Sequence, residues 1–289
     1  MKLQTVAAAV LLCAAIPLRA QSSVAQAIQS DPLRDSAHPA RMEVLHIPTG
    51  GKQVNGITYL ASGAGMHPTV VFLHGLPGNE KNQDLAQAVR RAGWNAVMFS
   101  YRGSWGSPGK FSFAGNLEDA DAVLTFLEDP SNARKYGIDT RHLVVVGHSM
   151  GGWVAAQTAS HHAELAGAAL ISAADMGTIG KMPHAQVIDG LRDGMESLAG
   201  VTPELMADEL ASGSARWTFD AAAPGLAKMP MLVLTSDDGF AMFGDGLVSR
   251  LKAEGNSTVT TLHRATDHSW SDSRIMLATQ LLEWLQRLH

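Results

Sequence analysis

The sequence predicts an α/β protein: a mostly parallel, doubly wound sheet with helices on both faces. Three observations support this. Short apolar runs of strand length recur along the 289 residues, and stretches with helical spacing separate them. Central runs such as Thr69-Val70-Val71-Phe72-Leu73 and Leu143-Val144-Val145-Val146 are apolar on both faces, as a strand covered on two sides requires. Alternation of strand and helix then points to parallel strands joined by helical crossovers.

The first segment reads as an export signal at residues 1–20. Lys2 supplies a positive start, residues 6–16 are apolar and uncharged, and Ala20 before Gln21 marks the expected cleavage point. The run is shorter than the about 20 apolar residues a permanent membrane helix needs, so no stable anchor is expected after cleavage and a periplasmic or secreted location is. The one cysteine, Cys13, falls inside this segment, and Leu12 before it argues against lipidation. A mature chain without cysteine has no disulfide, so its stability must come from a packed core.

Residues 21–40 are polar and proline-containing, and read as a flexible lead-in to a single α/β domain over 41–289. Strands are expected at 42–47, 54–60, 69–73, 96–100, 142–146, 168–171, 231–235 and 258–263. Helices are expected at 82–92, with Gly93 as a C-cap, at 116–127, 150–161 and 275–288. Residues 174–227 break the alternation: they hold no good strand, many methionines and alanines, and helical pieces at 184–198 and 203–212. A long insertion at a strand end is read as a helical cap over the site.

Net charge is −5 with both signs interspersed, which provides no basic stripe for nucleic acid and no polybasic membrane patch. A small, largely neutral substrate fits this balance. The oligomeric state is not legible.

Chemistry concentrates at Val146-Gly147-His148-Ser149-Met150-Gly151-Gly152, a G-x-S-x-G pattern directly after an apolar strand and before a helix. A nucleophile on so sharp a turn needs neighbours without bulk, and Gly147 and Gly151 meet that need. The helix that follows presents free N–H groups to a developing anion. Ser149 needs a base, and the base an orienting acid, in the chain order serine, acid, histidine. His268, in the loop Ala265-Thr266-Asp267-His268-Ser269-Trp270 after the last strand, is the base, preferred to His263 on the strand itself. The acid follows the 231–235 strand, where Asp238 is preferred to its neighbour Asp237; Asp267 is read as fixing the loop. The oxyanion hole takes the backbone N–H of Met150 and that of Leu76, in His74-Gly75-Leu76-Pro77-Gly78.

These residues carry a resemblance. From about Val54 onward the chain resembles the α/β-hydrolase superfamily through HGLPG at 74–78, GHSMGG at 147–152, LVLTSDD at 232–238 and DHSW at 267–270, in that order. The segment from Ser100 to Gly109 looks like the turn such enzymes carry after the next strand. Within the superfamily it is similar to the compact relatives of dienelactone hydrolase and the prolyl-oligopeptidase group. The resemblance implies an eight-stranded sheet, a serine–acid–histidine triad, and neither metal nor organic cofactor.

Secondary assignments complete the reading. Trp105 and Trp270 are candidates for an aromatic substrate pocket. Arg102 is taken to brace its loop by pairing with Glu118 or Asp119, His148 to pack beside the nucleophile, and His161 and His162 to face a helix C-terminal dipole. The expected activity is hydrolysis of a carboxylic ester through an acyl-enzyme. Short-peptide or amide hydrolysis is the alternative within the class, and a non-catalytic binding relative the alternative outside it.

Overall fold

Eight strands form one sheet: β1 (Arg41–Thr49), β2 (Lys52–Leu60), β3 (His67–Leu73), β4 (Asn95–Phe99), β5 (Ile138–His148), β6 (Gly167–Ile171), β7 (Met231–Ser236) and β8 (Val259–Arg264). Their spatial order is β1-β2-β4-β3-β5-β6-β7-β8. Only β2 runs against its neighbours; the remaining pairings are parallel. The fold comes from a computed structural model that describes residues 23–288. The expected export segment, its cleavage point and Cys13 lie outside the described residues.

Alternation along the central strands splits the core into two layers. Val71, Leu73, Leu143 and Val145 face one side, with α3 (Phe113–Glu128), α4 (Pro130–Tyr136), α5 (Met150–Ala159) and α9 (Phe219–Leu226). Val70, Phe72, Val144 and Val146 face the other, with α2 (Gln83–Arg91) and α11 (Arg274–Leu285). The two-sided apolar pattern in the sequence reflects this double cover. Among the described residues, no helix is long and apolar enough to cross a membrane.

The strand order reverses at β3. From β3 the chain moves outward to β4, then returns to place β5 on β3's other flank. At such a switch point the loops leaving the strands' carboxyl ends part and open a crevice. The loops after β3 and β5, at His74 and Ser149, meet there.

Between β6 and β7 lie α6 (Met176–Ile179), α7 (His184–Gly190), a 3₁₀ turn at Met195–Ser197 and α8 (Pro203–Gly213), followed by α9. The insertion expected at 174–227 is thus helical, but the long piece expected at 184–198 is broken: α7 stops before the positive-φ Gly194. The lead-in departs from its reading as a flexible segment. Residues Val24–Gln29 form α1, whose Val24, Ala27 and Ile28 share one face at helical spacing and pack into the layer of α2 and α11.

Besides α1, two helices outside the insertion were not anticipated. α4 is short but fully signalled, with Asp129 accepting from Ser131 N and Asn132 N, Pro130 at its first position and Gly137 ending it in the left-handed region. α10 (Ala241–Ala253) contains Gly244 and Gly246, which lower its intrinsic propensity. Gly244 is needed, because a Cβ there would meet Thr235 Cγ2 at 2.8 Å. Gly246 has open space around it. Gly246→Ala therefore raises stability by about 0.5–1 kcal/mol, read as a higher denaturation midpoint; a fall would mean the position is not helical.

Candidate active site

Ser149 closes β5 and opens α5. Its φ of 58° and ψ of −124° are sterically strained for a residue with a Cβ, at a cost of order 1–3 kcal/mol. The surroundings hold it there. Ser149 N–H donates to Ile171 O at 3.0 Å, and its carbonyl accepts from Gly152 N at 2.9 Å and Ala174 N at 3.1 Å. The motif glycines are demanded by contact: a Cβ on Gly147 would stand 1.9 Å from Gly151 O, and one on Gly151 would stand 2.0 Å from Leu73 O. Gly75, in the loop after β3, lies so close that its Cβ would meet Ser149 Cβ at 2.9 Å. The β3 loop and the Ser149 turn are thus packed backbone against backbone.

The structure pairs each of the two neighbouring carboxylates with a different histidine. His268 Nδ1 stands 2.7 Å from Asp238 Oδ2, and the Asp238 side chain is 1% exposed. His263 Nε2 meets Asp237 Oδ1 at 3.0 Å, with both side chains at least half exposed. Burial pushes the Asp238 carboxyl up. The His268 ring, the Phe240 N–H and the hydroxyls of Ser172 and Ser236 pull it down further, leaving it below the ordinary aspartate range. Ser172 and Ser236 share a hydrogen bond at 2.7 Å. Asp267 accepts from Ser271 N at 2.8 Å and shapes the His268 loop.

Two further histidines hold this frame. His148 Nε2 lies 2.8 Å from His268 O, and a carbonyl can only accept, so His148 carries its proton there and anchors the histidine loop. His74 Nδ1 donates in the same way to Gly75 O at 2.8 Å. Arg102 pairs with both Glu118 and Asp119 and donates from its backbone N–H to Asp119, so it braces its loop.

The aromatic pocket expected from Trp105 and Trp270 is not formed by them. Trp270 is fully buried, in the layer of α2 and α11, and donates from Nε1 to Ser172 Oγ at 3.0 Å. An indole in that position supports the acid turn from behind. Trp105 donates from Nε1 to Pro77 O and from its backbone to Ser197 O, linking the β3 loop to the cap. It is not part of the cavity wall.

The cavity at Ser149 and His268 has a volume of about 530 Å³. Leu76 and Met150 flank Ser149, Phe240 sits edge-on to the His268 ring at 5.3 Å, and α6 and α7 contribute Met176, Ile179 and Val187. None of these cap residues nor Phe240 was singled out in the sequence. Their methionines and aliphatics carry no chemical signature, and only the length of the insertion pointed to them. A polar depression of about 610 Å³ beside α2 and Arg274 contains neither Ser149 nor His268.

A sequence profile described as the alpha/beta hydrolase family matches residues 70–282. The chain belongs to the alpha/beta hydrolase family. Among solved structures, this family member is similar to an esterase from Pyrobaculum calidifontis, at TM-score 0.66 and 19% identity, over 91% of this chain and 88% of that one. A thermostable carboxylesterase from a metagenomic library aligns at 0.64 and 19%, over 92% of each chain. The acylaminoacyl peptidase of Pyrococcus horikoshii aligns at 0.65 and 15%, over 86% of this chain but 41% of that one. An uncharacterized protein of Mycobacterium tuberculosis is 29% identical over 125 residues, 43% of either chain, so the match spans less than half of that relative's length.

Burial pushes His74 and His148 down to about 4 from their ordinary 6.5, with Gly75 O and His268 O only partly countering it. Between these values the unfolded chain binds protons that the folded hydrolase does not, so stability is full above pH 6.5 and is lost as pH falls toward 4. Thermal unfolding followed by circular dichroism across that window should show a falling midpoint. His148→Gln, which keeps an N–H donor but cannot be protonated, should flatten the fall. An unchanged slope in that variant would mean that His148 titrates as in the unfolded chain.

Proposed function

We propose that the protein is an exported serine hydrolase that cleaves a carboxylic ester of a small, largely neutral substrate through an acyl-enzyme. The observation that carries this reading is one cavity lined by both a strained Ser149 at a helix N-terminus and His268, whose Nδ1 is held by a buried Asp238. Family membership agrees with it, and the expected export segment supplies the location.

In this mechanism His268 Nε2 takes the Ser149 proton as Oγ attacks the ester carbonyl, and Asp238 stabilises the imidazolium that forms. Met150 N–H, at the free end of α5, and Leu76 N–H hold the oxyanion. His268 then returns its proton to the departing alcohol. Water attacks the acyl-enzyme with His268 again as base, releasing the acid and restoring Ser149. The residues of the site need no metal or organic cofactor for this sequence of steps.

The walls favour an apolar acyl group. Each methylene moved from water into such a cavity contributes ~0.8 kcal/mol, which corresponds to up to about fourfold in kcat/KM. A peptidase reading draws on the likeness to an acylaminoacyl peptidase. Against it, Asp189 is the one carboxylate in the cavity wall, and it is 84% exposed and paired with Arg192. No buried acid waits there for a substrate amine.

A fluorophosphonate probe should label Ser149, located by peptide mass, and fail to label His268→Ala. No label on the folded protein would sink the mechanism. Ser149→Ala should lower ester turnover by several orders of magnitude without loss of fold, and Asp238→Asn should do far more harm than Asp237→Asn. The reverse ranking would move the acid to Asp237. Across p-nitrophenyl esters, kcat/KM should climb with acyl length until the cavity is filled, then fall.

A further inference from the structure

α5 follows Ser149 and runs for ten residues, about 15 Å, back toward the amino ends of the strands. There the chain turns through His161 and His162 before β6, beside Asp121 on α3. Asp121 Oδ1 stands 3.2 Å from His161 Nε2 and 3.3 Å from His162 Nε2. Donors bound to zinc at ~2.0–2.1 Å and tetrahedral angles are about 3.3 Å apart, so the two separations match edges of a zinc tetrahedron. One donor atom from each of the three residues falls within 4.8 Å of the others, and the two rings lie 4.9 Å apart.

His162 presents both of its ring nitrogens to carboxylates. Its Nδ1 faces Glu164 Oε1 while its Nε2 faces Asp121. A neutral imidazole has a single N–H. Donated to Glu164, it leaves a lone pair at Nε2 facing a carboxylate oxygen, a contact that needs either a second ring proton or a metal ion between the two. A carboxylate on the outer nitrogen is also how zinc-bound histidines are oriented. Glu128 is close enough to feel the charges of Glu164 and His162, and the end of α5 adds its own partial negative charge. His161 and Asp121 are about half exposed, which leaves a way in for an ion and room for a water.

We propose that Asp121, His161 and His162 bind a zinc ion at the end of α5 opposite Ser149, with water as fourth ligand and Glu164 orienting His162. The donor set of two imidazoles and one carboxylate suits zinc. The ion ties α3 to the turn between α5 and β6, and stabilises the fold by mass action while leaving the Ser149 chemistry untouched.

The test uses untagged, chelator-treated protein titrated with Co²⁺ as a spectroscopic stand-in for Zn²⁺. A visible absorption of four-coordinate type should saturate at one equivalent, be displaced by Zn²⁺, and be accompanied by a rise in melting temperature with zinc. Asp121→Asn and His161→Ala should abolish the signal, and Glu164→Gln should weaken binding by about 10-fold or more. Turnover of the folded variants on a p-nitrophenyl ester should equal that of the parent. Overturning results are absorption that never saturates, or an identical titration in Asp121→Asn. A full-strength signal in both ligand variants would place the metal elsewhere, and equal affinity in Glu164→Gln would remove Glu164 from the site.

Discussion

Three backbone segments meet within van der Waals contact where β5 turns into α5, and the architecture of the site depends on that meeting. Gly151 rests on the carbonyls of Leu73 and His74, Gly147 on the first turn of α5, and Gly75 on Ser149 itself. A single methyl group at any of these positions collides with neighbouring atoms. The β3 loop approaches Ser149 this closely only because Gly75 lacks a side chain, and the strained φ of Ser149 is sustained by the hydrogen bonds and contacts around it.

Around this contact the polar groups are arranged in depth. Asp238 is buried, yet four donors surround it, so burial does not neutralise it. One of them, Ser172, is itself held by the Trp270 indole. His148 and His74 are buried and neutral, and each fixes a carbonyl of a site loop. The loops bearing Ser149, Asp238 and His268 are therefore positioned by side chains that never reach the cavity.

Much of this was legible in the sequence, for a physical reason. A parallel strand with two covers cannot hide its apolar run, and a nucleophile on a tight turn cannot do without its glycines; both leave marks in one dimension. The central strands and the strand–turn–helix at Ser149 were visible on that basis, and β1, β2 and β8 through short or alternating apolar runs. What escaped depends on distance between remote segments. Trp270 looked like a pocket residue because it sits two positions after His268, but the backbone at φ 58° turns its side chain inward. α10 was masked by two glycines, one of which, Gly244, is required by Thr235 on a neighbouring strand. α1 was masked by the polar residues around its short apolar stripe.

Trp105 binds Pro77 with its ring and Ser197 with its backbone, while Gly103 and Phe111 exchange further hydrogen bonds with Ala199. The cap is therefore sewn to the segment after β4, although the two are far apart in the chain. This sets the unit of exchange for building chimaeras. A cap transplanted alone from another member of the family would arrive without its seam, and the β3 loop would lose the indole that steadies it. Swapping residues 101–111 together with the cap keeps the stitching whole, so altered substrate range is best sought by moving the two segments as one cassette.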